Sequence, residues 1–324
     1  MAAVTMAAAL NRALHDAMAD DDRVVVFGED VADLGGVFRI TDKLKARFGA
    51  GRCFDTPLAE SGIVGAAVGM AMYGYRPVVE LQFDGFSYPA VEQITSHLAK
   101  MPNRSRGTVR LPVVVRIPFG GGIGAVEHHS ESPEALYAHT AGLKIVTPAT
   151  PGDAYALLRE AIGSPDPVLF FEPKRRYWVR EDMELPVERE PFGTAVERRA
   201  GTTATLIGYG PTVATCLEAA EAGAEDGWDL QVLDVRTLVP LDIDTIVAAV
   251  EHTGRAIVVH EASVFGGMGA EIAAEVLERA FYALEAPVLR VGGFDIPYPP
   301  SQLEHYHLPD VDRILDAVER SLAY

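Results

Sequence analysis

The sequence predicts an α/β protein: a parallel β-sheet with helices on both faces, followed by a second α/β unit. Its predicted strands are unbroken apolar runs rather than alternating ones, and helical segments separate them, which is typical of buried parallel strands. The text becomes polar and charged over residues 173–190, which predicts a linker. A length of 324 residues favours two domains, which we place at 1–185 and 186–324.

The first unit begins with a helix that Thr5 can cap and that runs to about Asp20. The apolar run Val24–Phe27 follows as a buried strand and is stopped by Gly28. The remaining predicted strands are Arg52–Phe54, Pro77–Phe83, Val113–Ile117, Lys144–Thr147 and Val168–Phe171. The remaining predicted helices are Thr41–Phe48, Gly62–Tyr73, Pro89–Lys100, Glu134–Ala141 and Gly152–Ile162.

The second unit repeats the alternation of apolar runs and helical periods after the linker. Its predicted strands are Ala204–Ile207, Leu230–Asp234, Ala256–Val259 and Val288–Val291. Its predicted helices are Thr212–Ala224, Asp244–Thr253 and Gly269–Phe281.

Composition excludes several classes of function. Lys and Arg number 28 and Asp and Glu number 46, which gives a net charge of −18 and disfavours binding to nucleic acid or an anionic membrane. No uncharged apolar run of membrane-spanning length exists, and Arg12, His15 and Asp16 interrupt what would be a signal peptide. Cys53 and Cys216 are too far apart to suggest a disulfide framework, which fits a reducing cytoplasm.

The segment DTPLAES leads from a strand end into a helix and places Glu60 near the start of that helix. Open α/β sheets bind their ligands at this edge, so Glu60 is a candidate functional carboxylate. The alternative is that Glu60 only complements the helix dipole.

The segment PFGGGIGAVEHHSES follows another strand end. Its glycines give a mobile or φ-permissive backbone, and His128 and His129 can exchange protons near neutral pH. Phe83, Phe86 and Tyr88 follow a third strand end and form either a flat face for a ring or ordinary core aromatics. No His, Cys or acidic cluster has the spacing of a metal site.

Read together, these segments resemble the β subunit of the E1 component of 2-oxo acid dehydrogenase complexes. The resemblance covers nearly the whole chain in order and rests on Gly28–Val31, Gly35–Thr41, Phe48–Ala71, Pro77–Ala90, His129–Ser132, Gly142–Leu158, Asp166–Tyr177, Val232–Asp242 and Thr253–Ala262. It implies a thiamine diphosphate-binding fold, with a pyrimidine-type domain followed by a transketolase C-terminal-like domain.

The resemblance also implies roles for single residues. Glu60 matches the glutamate that hydrogen-bonds the aminopyrimidine ring of thiamine diphosphate and promotes loss of the thiazolium proton. Phe86 matches the ring that stacks on the pyrimidine, with Gln82 nearby. His129, rather than its neighbour, matches the active-site histidine that handles protons and supports acyl transfer to lipoamide. Glu29 matches an acid of a polar tunnel that links two cofactor sites.

A missing motif indicates a partner chain. The sequence has FDG at 83–85 and no GDG, the usual sign of the Mg²⁺ site for the cofactor's diphosphate. The resemblance therefore implies that an α subunit holds Mg²⁺ in an α2β2 heterotetramer with a second β subunit, and that this chain is inactive alone. Val113–Val114 and Ala161–Asp166 match regions where some relatives bind K⁺. The acyl group would pass to the lipoyl group of an E2 partner.

The wording EHHSES and GFSYP is similar to that of actinobacterial branched-chain enzymes, so we expect 3-methyl-2-oxobutanoate as substrate. Pyruvate and acetoin dehydrogenases are the alternatives. Three other classes compete: a self-sufficient transketolase, which the absent GDG disfavours, a non-catalytic scaffold, and a NAD-binding oxidoreductase. The last depends on GYGPTV at 208–213, which lacks the third glycine of the dinucleotide motif.

Overall fold

The computed structural model describes residues 2–188 and 191–324. Contacts divide the chain into two compact units. The first comprises residues up to Phe119 together with Leu136–Phe192, and the second comprises Gly120–Ala135 together with Gly193–Tyr324. The predicted boundary after residue 185 stays a prediction. Residues 189 and 190, at the end of the predicted linker, lie outside the described residues.

In chain order the first half contains eight strands and six helices. The strands are β1 (Ala2–Thr5), β2 (Val24–Gly28), β3 (Cys53–Asp55), β4 (Arg76–Glu80), β5 (Val114–Phe119), β6 (Lys144–Val146), β7 (Val168–Pro173) and β8 (Arg180–Met183). The helices are α1 (Met6–Asp20), α2 (Leu44–Phe48), α3 (Glu60–Met72), α4 (Met101–Arg104), α5 (Glu134–Ala138) and α6 (Pro151–Gly163).

The sheet of the first unit is parallel, as predicted. Its strands lie in the order β6-β7-β5-β4-β2-β3, and β1 pairs with β8 in a separate antiparallel ladder. Successive residues of β2 and β5 are almost inaccessible on both sides of the pleat, which requires cover on both faces. α1 and α6 form the apolar cluster on one of them.

The second unit has six strands and five helices. The strands are β9 (Val196–Arg199), β10 (Ala204–Gly208), β11 (Leu230–Asp234), β12 (Thr237–Val239), β13 (Ala256–Ser263) and β14 (Leu289–Gly293). The helices are α7 (Thr212–Gly223), α8 (Ile243–Thr253), α9 (Met268–Ala280), α10 (Glu304–His307) and α11 (Val311–Leu322). The sheet order is β14-β13-β10-β11-β9, parallel except for β9.

One predicted helix was wrong. Residues 89–100 do not form a regular α-helix: a 3-10 helix covers Asp84–Ala90 and a π-helix covers Gln93–Leu98. Pro89 lies inside the 3-10 helix and has no N–H to donate, so α-helical pairing cannot run through it. Among the described residues no helix has the length and apolar character needed to cross a bilayer.

Candidate active site

Three predicted site residues of the first unit follow neighbouring strands of the parallel sheet. Glu29 follows β2, Glu60 begins α3 after β3, and Gln82 lies two residues beyond β4. Because parallel strands end at the same edge of a sheet, the three side chains are brought to one edge. Glu60 lies in the first turn of α3 and remains partly exposed.

Glu29 is the buried carboxyl of this edge. It is 3% exposed, and its Oε1 atom has no hydrogen-bond partner among the described residues. Burial, together with the nearby charges of Glu60 and Asp30, raises the pKa of Glu29 to about 7. A carboxyl with this pKa can hold or release a proton near neutral pH.

Gln82 connects the ends of β2 and β4. Its Nε2 atom donates to Asp30 Oδ2 at 3.1 Å and to the Glu29 carbonyl oxygen at 3.4 Å. Asp30 has a left-handed backbone (φ 58°), which the sequence analysis did not foresee. The amide side chain therefore fixes the backbone from which the Glu29 side chain projects.

Phe86 lies on the 3-10 helix Asp84–Ala90, which packs against α3. Its ring is partly exposed and meets Phe83 edge-on, with centroids 5.9 Å apart. Asp84, which begins the helix, forms a fully buried ion pair with Lys174. The Lys174 ammonium also lies 5.6 Å from the Phe83 ring centroid, so a rigid base supports the Phe86 ring.

A buried charge cluster lies inside the same sheet and was missed by the sequence analysis. Arg116 of β5 donates to Glu172 through Nε at 2.6 Å and Nη2 at 2.8 Å, and its Nη1 donates to Glu80. Tyr177 donates its hydroxyl to Glu172 at 2.7 Å. Burial first, and then the charge of Glu172, raise the pKa of Glu80, although Arg116 acts against them.

His129 belongs to the second unit, within the segment 120–135. His128 and His129 lie on a 3-10 helix that begins at Glu127, and their rings meet edge-on at 4.4 Å. His129 Nδ1 lies 2.8 Å from the His128 carbonyl oxygen. This contact requires the proton on Nδ1, so Nε2 is the acceptor nitrogen of the neutral ring.

The GYGPTV segment has a structural role in the second unit. Tyr209 donates its hydroxyl to Glu134 Oε1 at 2.7 Å, and both residues are 1% exposed. The Thr212 hydroxyl donates to the Val259 carbonyl oxygen at 3.0 Å. These contacts account for the segment without a dinucleotide.

The described part of the chain contains no group of three or more His, Cys, Asp or Glu side chains that could hold a metal ion. In the region matched to K⁺ binding, Arg76 Nη1 donates to the carbonyl oxygens of Ile162 at 2.9 Å and Ser164 at 3.4 Å. K⁺ binding there stays a prediction.

Comparison with known families agrees with this division of the chain. Residues 2–178 match the family described as transketolase, pyrimidine binding domain, and residues 193–314 match transketolase, C-terminal domain. A solved structure described as a split gene transketolase, inactive beta4 tetramer, superposes with a TM-score of 0.82 at 25% identity, covering 99% of each chain.

Two bacterial relatives are similar over almost their whole length. The chain is 58% identical to the 3-methyl-2-oxobutanoate dehydrogenase subunit beta of Mycobacterium tuberculosis, over 98% of this chain and 92% of that protein. It is 54% identical to the pyruvate dehydrogenase E1 component subunit beta of Leifsonia xyli, over 98% of this chain and 95% of that protein. The resemblance is thereby confirmed: the chain belongs to the family of E1 β subunits of 2-oxo acid dehydrogenases, with transketolase-type pyrimidine-binding and C-terminal domains.

Proposed function

We propose that the chain is the β subunit of an E1 enzyme that decarboxylates 3-methyl-2-oxobutanoate and transfers the acyl group to the lipoyl group of an E2 partner. The observation that carries the chemistry is the pair Glu29 and Glu60, in which a buried carboxyl with a pKa of about 7 lies beside a partly exposed one. The 58% identity to a 3-methyl-2-oxobutanoate dehydrogenase subunit supports the substrate. Pyruvate is the second candidate, supported by the 54% identity to a pyruvate dehydrogenase subunit.

The residues at this edge fit the aminopyrimidine half of thiamine diphosphate. Glu60 offers a carboxylate to a ring nitrogen, and Phe86 offers a partly exposed aromatic face on a rigid helix. Glu29 Oε1 is a buried acceptor without a partner among the described residues. When bound, thiamine diphosphate supplies the nucleophilic carbon and the electron sink for decarboxylation.

In this proposal Glu60 accepts a hydrogen bond from the ring nitrogen and holds a proton there. Glu29 exchanges a proton with its surroundings near neutral pH, because burial has raised its pKa to about 7. Gln82 keeps the backbone at Glu29 and Asp30 in place through its two hydrogen bonds. Phe86 orients the ring by stacking.

We assign His129 to proton transfer during acylation of the lipoyl group. Its Nδ1 contact with the His128 carbonyl oxygen leaves Nε2 as the nitrogen that accepts a proton. His128 is the more exposed of the two and pairs with Glu127, with 3.7 Å between Nδ1 and Oε1. This difference favours His129 as the catalytic residue.

Mg²⁺ and the diphosphate are assigned to an α subunit. The absence of GDG and of any metal-ligating cluster in residues 2–188 and 191–324 supports this assignment. The relatives are named as beta subunits, and the solved neighbour is named as an inactive beta4 tetramer, which supports an α2β2 assembly that is inactive without α. The charge of −18 suits a basic E2 domain, and we expect the complex in the cytoplasm.

The test is steady-state decarboxylation by the co-expressed α and β chains with Mg²⁺ and thiamine diphosphate. We expect kcat/KM for 3-methyl-2-oxobutanoate to exceed that for pyruvate by at least about tenfold, since two extra methyl groups in an apolar pocket are worth roughly 1–3 kcal/mol. A preference for pyruvate would establish the second candidate instead. Loss of activity with every 2-oxo acid would overturn the proposal.

A further inference from the structure

The glycine-rich start of the segment 120–135 is held by a buried carboxylate of the second unit. Glu304, which begins α10 and is 8% exposed, accepts the N–H of Gly122 at 2.7 Å on Oε1 and that of Gly124 at 3.0 Å on Oε2. Both glycines have left-handed backbones (φ 86° and 70°), which turns their N–H groups toward one carboxylate. Tyr298 donates its hydroxyl to Oε1 at 2.7 Å.

A second carboxylate holds the residue before this turn. Glu261 is 5% exposed and accepts the N–H of Gly121 through Oε2 at 3.0 Å. A Cβ atom on Gly121 would lie 1.9 Å from the Tyr298 hydroxyl, so only glycine allows this close approach. The Gly120 N–H closes the loop by donating to the Glu131 carbonyl oxygen at 2.9 Å.

The far end of the segment is held as well. Glu134 Oε1 accepts the Tyr209 hydroxyl at 2.7 Å, and both side chains are buried. His129 lies between the two anchored ends, on a single 3-10 turn whose backbone bonds run from its own N–H to Val126 and from Ser130 N–H to Glu127, each 3.0 Å. One short turn is a weak local constraint, so the position of His129 depends on the anchors.

We propose that Glu304 is a positioning residue for His129. Hydrogen bonds from backbone N–H groups to an ionised carboxylate are stronger than those to neutral acceptors, and Glu304 accepts three hydrogen bonds in all. They hold the start of the segment in one conformation and thereby fix where the His129 ring lies. The inference rests on the proposed function only through the catalytic role of His129.

The test compares Glu304→Gln with Glu278→Gln, an exposed glutamate of α9, in the assembled complex of α and β chains. An amide keeps the size of the side chain, but its NH2 group cannot accept one of the two glycine N–H bonds. We expect faster hydrogen exchange over residues 120–131 and a loss of about 10- to 100-fold in the rate of lipoyl-domain acylation. KM for the 2-oxo acid should change less than about twofold, because uniform substrate binding is not involved. Glu278→Gln should change none of these quantities.

A double variant separates positioning from general structural damage. If Glu304 acts through His129, Glu304→Gln combined with His129→Ala should acylate no more slowly than His129→Ala alone. Tyr298→Phe removes one bond to Glu304, keeps the ring, and should give a smaller effect in the same direction if Glu304→Gln fails to assemble. Multiplying losses in the double variant, or unchanged acylation despite faster exchange, would overturn the inference. Normal acylation by His129→Ala alone would instead refute the proposed role of His129.

Discussion

The charge of Glu60, in the first turn of α3, adds to burial in raising the pKa of Glu29 to about 7. The two carboxyls therefore form an unequal pair, since Glu60 is partly exposed while Glu29 is 3% exposed. A pair of acids whose surroundings separate their pKa values is typical of sites that handle protons. The pair yields two predictions.

Glu60→Gln should abolish proton exchange at C2 of the bound cofactor while the fold and the assembly with α survive. The reason is that an amide cannot take up the charge that a carboxylate offers to the ring nitrogen. Deuterium exchange at C2, followed by NMR in the assembled complex, measures this, with the exposed Glu181→Gln as the control. Normal exchange in Glu60→Gln would show that another group activates the cofactor.

Glu29 predicts a dependence of stability on pH. Because the folded chain binds this proton more tightly than the unfolded chain does, the free energy of unfolding should fall as pH rises from about 4.5 to about 7. Glu29→Gln removes the contribution, so the stability of the wild type relative to the variant should decline over that interval by on the order of 2 kcal/mol. Urea unfolding of the isolated chain at pH 4.5, 6 and 8 tests this. Parallel pH profiles for both proteins would mean that Glu29 titrates normally.

His129→Ala should block acylation of the lipoyl domain and leave binding of thiamine diphosphate nearly unchanged, since the ring acts on protons in a later step. His128→Ala is the matched control, because it removes the neighbouring imidazole from the same 3-10 turn. Single-turnover acylation distinguishes the two variants. If His128→Ala carried the loss instead, the assignment would be wrong by one residue.

The Arg116 cluster should dominate the stability of the first unit. Arg116→Met leaves Glu80 and Glu172 buried without their cation, which costs about 3–5 kcal/mol for pairs of this kind. Arg279→Met breaks an exposed pair with Glu275 and should cost less than about 1 kcal/mol. Urea unfolding at pH 7 compares them. Equal costs would contradict the importance given to the cluster.

The parallel sheet was predictable because its strands are buried on both faces and therefore read as unbroken apolar runs. β9 was not predictable in this way. Its sequence VERR is charged and partly exposed, and only its antiparallel pairing with β11 makes it a strand. α11 was also missed, although its apolar residues recur at helical spacing.

The edge position of Glu60 and Glu29 followed from strand ends alone, whereas the residues that support the site did not. Arg116 lies within an apolar strand and finds its partners 36 and 56 residues away. Glu304 binds glycines 182 and 180 residues before it in the chain. The glycine run suggested a mobile or φ-permissive backbone, and the structure shows an anchored one.

The most direct measurement is calorimetric titration of Mg²⁺-thiamine diphosphate into the isolated chain and into the chain assembled with its α subunit. The account predicts tight, Mg²⁺-dependent binding only by the assembly, because this chain offers the pyrimidine half of the site and no ligands for the metal among its described residues. Tight, Mg²⁺-dependent binding by the isolated chain would contradict the divided site and would favour a self-sufficient enzyme of the transketolase type.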